Sequence, residues 1–541
     1  MKADNSSVAD ADVIIIGTGM GGATLGYELA RQGFRVTFCE KGGSLDSAEP
    51  AIVGMYPEET APKVSADMLR RGGRYWESLV DETGSRAQEF VPVVGSGLGG
   101  SSALYGAVLE RFFPIDFTPG EYRESFDGAN LPDVWPVGYQ DLARYYEQAE
   151  SLYRVRGERD SMREAEALAP LLNYAPLSQA NETLATLLKK NGLRPYRLPL
   201  AIEEVAGCQL CQGILCARQC KNDAYKICIR PAIEKYGAKL LRGCEAVNVI
   251  ADSRRNIAAV EFRQGTSNIR LKATVYVLSA GAVHSPILLQ RSGSEFWPMG
   301  IGNDHDLVGR NLMRHMLNLF LLKVPPNTLR GNVKELGLND MYFRRGKKYG
   351  TVQSFGYLPP PTVLIMDVDN KVERSGNSVL KLMYPFVRSS LLKIIASMTT
   401  EKLILASIME DYPHRDNRVF STRDGDRESI VINYEVKDEA KRRDAEFRRF
   451  VKRAIEPINA KVLREAENNE RLAHACGTCR FGEDPHASVL DKYNRVHGVD
   501  NLYVVDSSFF PTSGGTNPSL TIAANALRVG DYLTAWLKAG R

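Results

Sequence analysis

Two positions near the end of the chain carry residue types that together can handle a hydroxyl group. His474 opens the run His474-Ala475-Cys476-Gly477-Thr478-Cys479-Arg480-Phe481-Gly482, and Asn517 sits in Thr516-Asn517-Pro518-Ser519-Leu520-Thr521. An imidazole titrates near neutrality and can take a proton from a hydroxyl. A carboxamide can bond the same hydroxyl without competing for the proton, which fixes orientation. At the other end, Gly17-Thr18-Gly19-Met20-Gly21-Gly22 follows the apolar run Val13-Ile14-Ile15-Ile16, and five cysteines crowd between positions 208 and 228.

The glycine run has the context that gives such a motif meaning. Val13 to Ile16 reads as a buried parallel strand. A helical stretch through Ala23, Leu25, Leu29 and Ala30 follows, closed by Gly33, and Arg35-Val36-Thr37-Phe38-Cys39-Glu40 reads as a second strand ending on an acid. This is a βαβ start. Gly17 permits the tight turn, Gly19 lets backbone approach a pyrophosphate, and Gly22 lets helix pack on sheet. The helix N-terminus offers free amides and partial positive charge to phosphates. Glu40 stands where it can accept from ribose hydroxyls, and an acid there repels a 2′-phosphate, which argues against NADP. The motif alone does not separate FAD from NAD.

The elements that must position these residues follow from the rest of the chain. Asp141 to Arg154 has helical spacing, residues 160 to 205 read as helical and connecting, and Ile257–Phe262, Ile269–Ala273 and Val275–Leu278 read as short strands. Pro286 is expected to start a helix that Gly293 ends. Residues 318 to 435 read as strand-rich, with turn signals at Pro325-Pro326, Pro359-Pro360-Pro361 and Asp424-Gly425-Asp426, and so as a separate, largely antiparallel domain. Lys437 to Glu456 reads as an amphipathic, solvated helix. The expected class is α/β, α+β overall: a Rossmann-like domain assembled from 1–155, 206–318 and 469–541, a helical connecting region at 156–205, and a substrate domain at 319–468 flanked by helices.

Bulk properties narrow the classes of function. The 541 residues are 44% apolar and 25% charged, an ordinary globular balance, and long enough for two or more domains. The net charge, 69 − 65 = +4, is spread along the chain and gives no argument for nucleic acid or an anionic membrane. The first residues lack the apolar core of a signal peptide, so a cytoplasmic protein is expected. Residues 389 to 409 are the most apolar later stretch, but Lys393, Glu401 and Lys402 interrupt it, so no transmembrane segment is expected. Nine cysteines in so long a chain do not make a disulfide scaffold.

Four blocks resemble the glucose-methanol-choline (GMC) oxidoreductases: residues 12–43; the stretch 93–110 with Gly99-Gly100-Ser101-Ser102-Ala103-Leu104-Tyr105-Gly106; residues 275–315 with Ser279-Ala280-Gly281-Ala282-Val283-His284-Ser285-Pro286 and Asp306-Leu307-Val308-Gly309-Arg310-Asn311-Leu312; and residues 470–535. They occur in the family's order across almost the whole chain. The resemblance implies FAD. It places Gly99, Gly100 and Ser101 in the loop passing near the flavin and pyrophosphate, Ala280 and Gly281 at a strand end near the adenosine half, and Asp506 near the phosphate and ribityl part. Some relatives attach FAD through a histidine in the glycine-serine loop. Leu104 and Tyr105 stand there instead, so non-covalent FAD is expected, and Tyr105 replaces a frequent asparagine.

His474 and Asn517 occupy the positions of the family's catalytic pair. The implied reaction is oxidation of a CH–OH group of a sugar, polyol or sugar-containing natural product, with hydride passing to flavin N5 and the proton to His474. The electron acceptor is open among oxygen, a quinone and a redox partner protein. A flavin-binding lyase or other non-oxidative protein of the same fold is the alternative, and a non-catalytic scaffold a third reading. His284, His315, His486 and His497 read as structural or near the cofactor, and Cys476 and Cys479 as packing residues.

The spacing Cys211-x4-Cys216-x3-Cys220 resembles that in catalytic subunits of bacterial FAD glucose dehydrogenases, which carry an iron-sulfur cluster and are exported with a small partner subunit. The cysteines Cys208, Cys211, Cys216 and Cys220 thus have three readings: structural packing or disulfides, zinc, or an iron-sulfur cluster on Cys211, Cys216 and Cys220. Lys221-Asn222-Asp223-Ala224 follows where a proline-containing run is expected. That departure favours structural cysteines over the cluster.

Overall fold

A computed structural model of the chain describes residues 10–42, 50–61, 63–84, 86–122, 128–208, 211–325, 328–329, 333–399, 402–424, 427–464, 472 and 474–540. Its organising element is a five-stranded sheet. The strands run Leu502–Val504, Ala273–Leu278, Ala11–Ile16, Val36–Glu40 and Lys239–Arg242 in spatial order, every neighbour parallel. The N-terminal strand is central and all six of its residues are buried, which is why it reads as a continuous apolar run and not an alternating one. Each Ile or Val so buried contributes about 1.5–3 kcal/mol. The sheet gathers strands from three distant parts of the chain.

Helix Met20–Arg31 follows the glycine turn and packs against the C-terminal helix Ser519–Ala539, which also packs against helix Tyr139–Leu152. Polar pins cross these contacts. Thr24 Oγ1 bonds Tyr153 Oη at 2.8 Å and Tyr146 Oη bonds Thr521 Oγ1 at 2.8 Å. An antiparallel meander, Cys244–Ala251, Ile257–Gln264 and Ser267–Leu271, branches off beside the parallel sheet.

A second sheet has six strands in the order Ala460–Arg464, Met316–Lys323, Lys402–Met409, Gly350–Ser354, Leu336–Leu338 and Tyr196–Arg197, every pair antiparallel. Tyr196 and Arg197 lie in the region expected to be only helical and connecting. Helix Asp438–Ala454 packs on this sheet.

Two expectations need correction. Helix Gly281–Arg291 begins five residues before Pro286 and carries that proline inside it. Glycine at its first position is free to start the helix directly off the strand end. Secondly, residues 318–435 are not uniformly strand-rich. A helical hairpin, Pro361–Arg374 and Ser378–Thr399, is inserted between the paired strands Gly350–Ser354 and Lys402–Met409. Its apolar residues mimic buried strand composition, but only Ile365 and Val372 of the first helix are buried, and none of the second is.

Candidate active site

A cavity of about 1290 Å³ opens at the carboxyl ends of the parallel strands, where open α/β sheets bind their ligands. Gly17, Gly19, Glu40, Gly100, Ser101, Ala280, Gly281, Asp506 and His474 all border it. Gly22, Gly99 and Asn517 do not line it, although Pro518 and Ser519, which follow Asn517, do.

The glycine turn is built by exclusion. Gly17 has φ +96°, and a Cβ there would meet Ser279 O at 2.3 Å. At Gly22 a Cβ would meet Gly17 O at 2.7 Å and Ser279 Cβ at 2.8 Å, while the Gly22 amide donates to Ser279 Oγ at 2.7 Å. The turn, the helix start and the end of strand Ala273–Leu278 are therefore pressed together. A Cβ at Gly19 would have nothing nearer than 4.0 Å, so backbone at that point is open to the cavity. The loop carrying Gly99, Gly100 and Ser101 lies on this turn, with Gly100 against Gly19.

Two acids hold the walls. Glu40 accepts from Thr18 N and Oγ1 on Oε2, at 3.1 and 2.6 Å, and from Gly42 N on Oε1 at 2.8 Å. A carboxylate has about four acceptor positions, so one is left for a ligand hydroxyl. Asp506 accepts from Gly281 N at 3.0 Å and Ser285 Oγ at 2.5 Å on Oδ2, and from Ser508 N at 2.9 Å and Ser508 Oγ on Oδ1. Burial pushes its carboxyl up, and the hydrogen bonds from Ser285 and Ser508 oppose this. With its acceptors so engaged, Asp506 ties the start of helix Gly281–Arg291 to the C-terminal segment and shapes the wall.

The cavity fits a dinucleotide in a further respect. His284 Nε2 is buried on the wall without a hydrogen-bond partner, and the ring lies edge-on to Tyr75 with centroids 5.0 Å apart. Burial, and then Lys41, lower its pKa to about 4, so it is neutral. An orphaned buried nitrogen costs about 1–3 kcal/mol unless a ligand group meets it. With the open turn at Gly19 and the spare acceptor on Glu40, it makes a set of donors and acceptors that FAD can satisfy.

At the other end His474 is held by His315, which the sequence marks only as structural or near the cofactor. His474 has φ +61°, uncommon for a non-glycine residue and costing of order 1–3 kcal/mol. Cys476 and Met313 exchange backbone bonds at 2.9 and 3.0 Å, which brings His315 alongside His474. The two Nδ1 atoms are 2.8 Å apart and His315 Nε2 is 2.9 Å from Gly514 O. Burial lowers the His315 pKa to about 4, and burial, then His315 and Lys334, hold His474 well below 6.5. Both rings are neutral at pH 7.

Tautomers then follow from the network. A carbonyl only accepts, so His315 carries its proton on Nε2 and has a bare Nδ1. His474 must donate from Nδ1, which leaves Nε2 as its basic nitrogen. Asn517 is positioned three residues beyond Gly514, and its Oδ1 accepts from Gln353 Nε2 at 3.2 Å, so its amide hydrogens are the free part. Lys334 is buried with its pKa lowered to about 7 by that burial, and Nζ donates to Gln212 Oε1 at 2.9 Å. His315, Gln353 and Lys334 have no spacing signal that would have found them.

The cysteine loop adjoins this region. Gly213 N donates to Leu104 O at 2.8 Å, and Lys221 Nζ donates to Ala103 O and Ile214 O at 2.8 and 3.0 Å. Cys208 Sγ is 3.1 Å from Cys220 Sγ, which is 3.4 Å from Cys216 Sγ. A hydrogen bond from Cys211, then one from Cys220, holds the Cys216 thiol down toward thiolate. Among the described residues no group of three or more His, Cys, Asp or Glu is arranged to hold a metal ion. Cys211, Cys216 and Cys220 make a chain of pairwise thiol contacts with Cys208. Cys476 and Cys479 are buried in the core beside His474.

Known proteins resemble this chain over its whole length. The GMC oxidoreductase family models match residues 11–317 and 412–526. A 6'''-hydroxyparomomycin C oxidase of Streptomyces lividus is 31% identical, covering 98% of this chain and 92% of its own. A paromamine 6'-oxidase of Streptomyces fradiae is 29% identical, covering 96% and 90%. Among solved structures, a formate oxidase of Aspergillus oryzae RIB40, studied for its FAD modification, has the same fold with TM-score 0.63 and 16% identity, covering 98% of this chain and 100% of that one. The chain belongs to the GMC oxidoreductase family, flavoprotein oxidoreductases that act on CH–OH donors.

Proposed function

We propose that this protein oxidises a CH–OH group of a sugar, polyol or sugar-containing natural product, aminoglycosides foremost, with His474 as base and non-covalent FAD. The observation that carries the reading is the chain Gly514 O, His315, His474, which presents His474 as a neutral imidazole with Nε2 unprotonated. That is the form and tautomer a base needs before it meets a hydroxyl. The substrate class draws on the two aminoglycoside-oxidising relatives.

Bound FAD supplies the acceptor for the two electrons and hydrogen that leave the carbinol carbon. The residues do the rest. Asn517, its oxygen held by Gln353 and its neighbours Pro518 and Ser519 on the cavity wall, is the group we assign to orient the substrate oxygen through its amide hydrogens. His474 Nε2 takes the hydroxyl proton. The resulting imidazolium is stabilised through Nδ1–H, whose bond to His315 becomes charge-assisted. Burial and the Lys334 charge keep His474 from being protonated beforehand. The glycine-serine loop offers Tyr105 in place of histidine, and its hydroxyl is already engaged with Asn222 O at 2.8 Å, which supports dissociable FAD.

Anaerobic titration of the purified yellow protein with a panel of aminoglycosides, simple sugars and polyols tests this reading. Stoichiometric bleaching of the flavin by a member of the panel is expected. No bleaching by any member, with FAD bound, would favour the non-oxidative reading. Acid precipitation should leave the yellow colour in the supernatant.

A further inference from the structure

Helix Ser378–Thr399 has 22 residues and not one is buried. It packs on helix Pro361–Arg374, where Tyr384 Oη and Arg388 bond Asp369 at 2.5 to 2.9 Å. The large apolar residues face outward. Phe386 is 76% exposed, Leu382 71% and Val379 69%, with Met383, Val387 and Ile394 about half exposed. At 100° per residue these six fall within an arc of about 140°. A soluble helix normally turns such a face inward, and an unburied one marks an interaction surface.

Charge and length select the occupant. The helix carries Lys381, Arg388 and Lys393 and no aspartate or glutamate. Arg388 is paired within the hairpin and Lys381 falls on the opposite side of the helix, whereas Lys393 is exposed and lies inside the apolar arc. A two-fold contact with a second copy would set like charges against one another. No described helix is long and apolar enough to cross a membrane, and Pro385 and Ser389-Ser390 interrupt this one. Apolar residues on one face with only cations among the charged groups suit a helix lying in the interface of an anionic bilayer. The acids of the hairpin, Asp367, Asp369 and Glu373, all lie on its other helix, where Asp369 is taken up by Tyr384 and Arg388.

We infer that the hairpin 361–399 docks the protein on an anionic lipid surface, with Val379, Leu382, Met383 and Phe386 entering the headgroup–acyl boundary and Lys393 meeting a lipid phosphate. The hairpin springs from the strand carrying Gln353, so docking brings the substrate domain to the surface without altering the sheet.

The test is sedimentation of the full-length FAD-loaded protein with vesicles of phosphatidylcholine alone or mixed with phosphatidylglycerol, at low and high salt. Binding to the mixed vesicles, weakened by salt, is expected. L382S/F386S should lower partitioning on the order of 100-fold, and K393Q roughly fivefold, the effect of one cation. Because all three side chains are exposed, FAD content and melting temperature should not change, which separates lost docking from lost folding. Absence of binding to mixed vesicles, equal binding by the variants, or equal binding to neutral vesicles overturns the inference. A concentration-dependent dimer that L382S/F386S dissolves also overturns it and assigns the face to a second copy.

Discussion

Replacing His315 separates a tautomer-setting role from packing. In His315→Leu the His474 Nδ1–H loses its acceptor and Gly514 O loses its donor. The first loss matters most when His474 becomes cationic, since a hydrogen bond to a charged group is worth about 1.5–3 kcal/mol. At about 1.36 kcal/mol per tenfold, flavin reduction should slow by about 10- to 150-fold. The orphaned Gly514 carbonyl costs a further ~1–3 kcal/mol of stability, visible as a lower melting temperature. His315→Gln restores the same polarity, with an oxygen to accept from His474 and an amide to donate to Gly514, so it should recover most of the rate. Stopped-flow reduction under anaerobic conditions, with FAD content measured beside it, resolves the two variants. The loss should fall on the reduction rate at saturating substrate more than on apparent affinity. A His315→Leu protein reducing at the parent rate, or a His315→Gln protein no faster than His315→Leu, would refute the relay.

His474→Ala should retain FAD and lose at least about 100-fold in flavin reduction, the lower end for a general base; parent-like reduction would remove the role. The pH profile of reduction should be flat through neutrality and fall only well below pH 6.5, because burial lowers the His474 pKa; an acid limb at or above pH 6.5 contradicts this. The same depressed values have a stability sign. His284, His315 and His474 are neutral when folded but protonate when unfolded below about 6.5, so stability should drop as pH falls from about 6.5 to about 4, measured by denaturant midpoints. Gly22→Ala puts a methyl 2.7 Å from Gly17 O, so about 1–3 kcal/mol of destabilisation with loss of bound FAD is expected in thermal melts read by flavin fluorescence; unchanged melting would show that the turn has room.

Local pattern determined a good deal by itself. The apolar run at 13–16, the glycines after it and the acid at 40 depend on contacts close in sequence, so strand, turn, helix and strand were legible, as was membership of a family whose blocks recur in order. A Cβ at Gly17 or at Gly22 would meet strand and turn atoms closer than 3.0 Å. Other features needed the third dimension. His315 is 159 residues from His474, and only the Met313–Cys476 backbone pairing makes them partners. Gln353 meets Asn517 across 164 residues through sheet packing. Asp506 is an acid by sequence, but its folded neighbours use its acceptors to hold the wall. The hairpin at 361–399 shows the converse: apolar composition implies burial only if something covers it, and composition cannot say whether anything does. Short-range periodicity is written along the chain, whereas protonation state, tautomer and exposure belong to the neighbours that folding supplies.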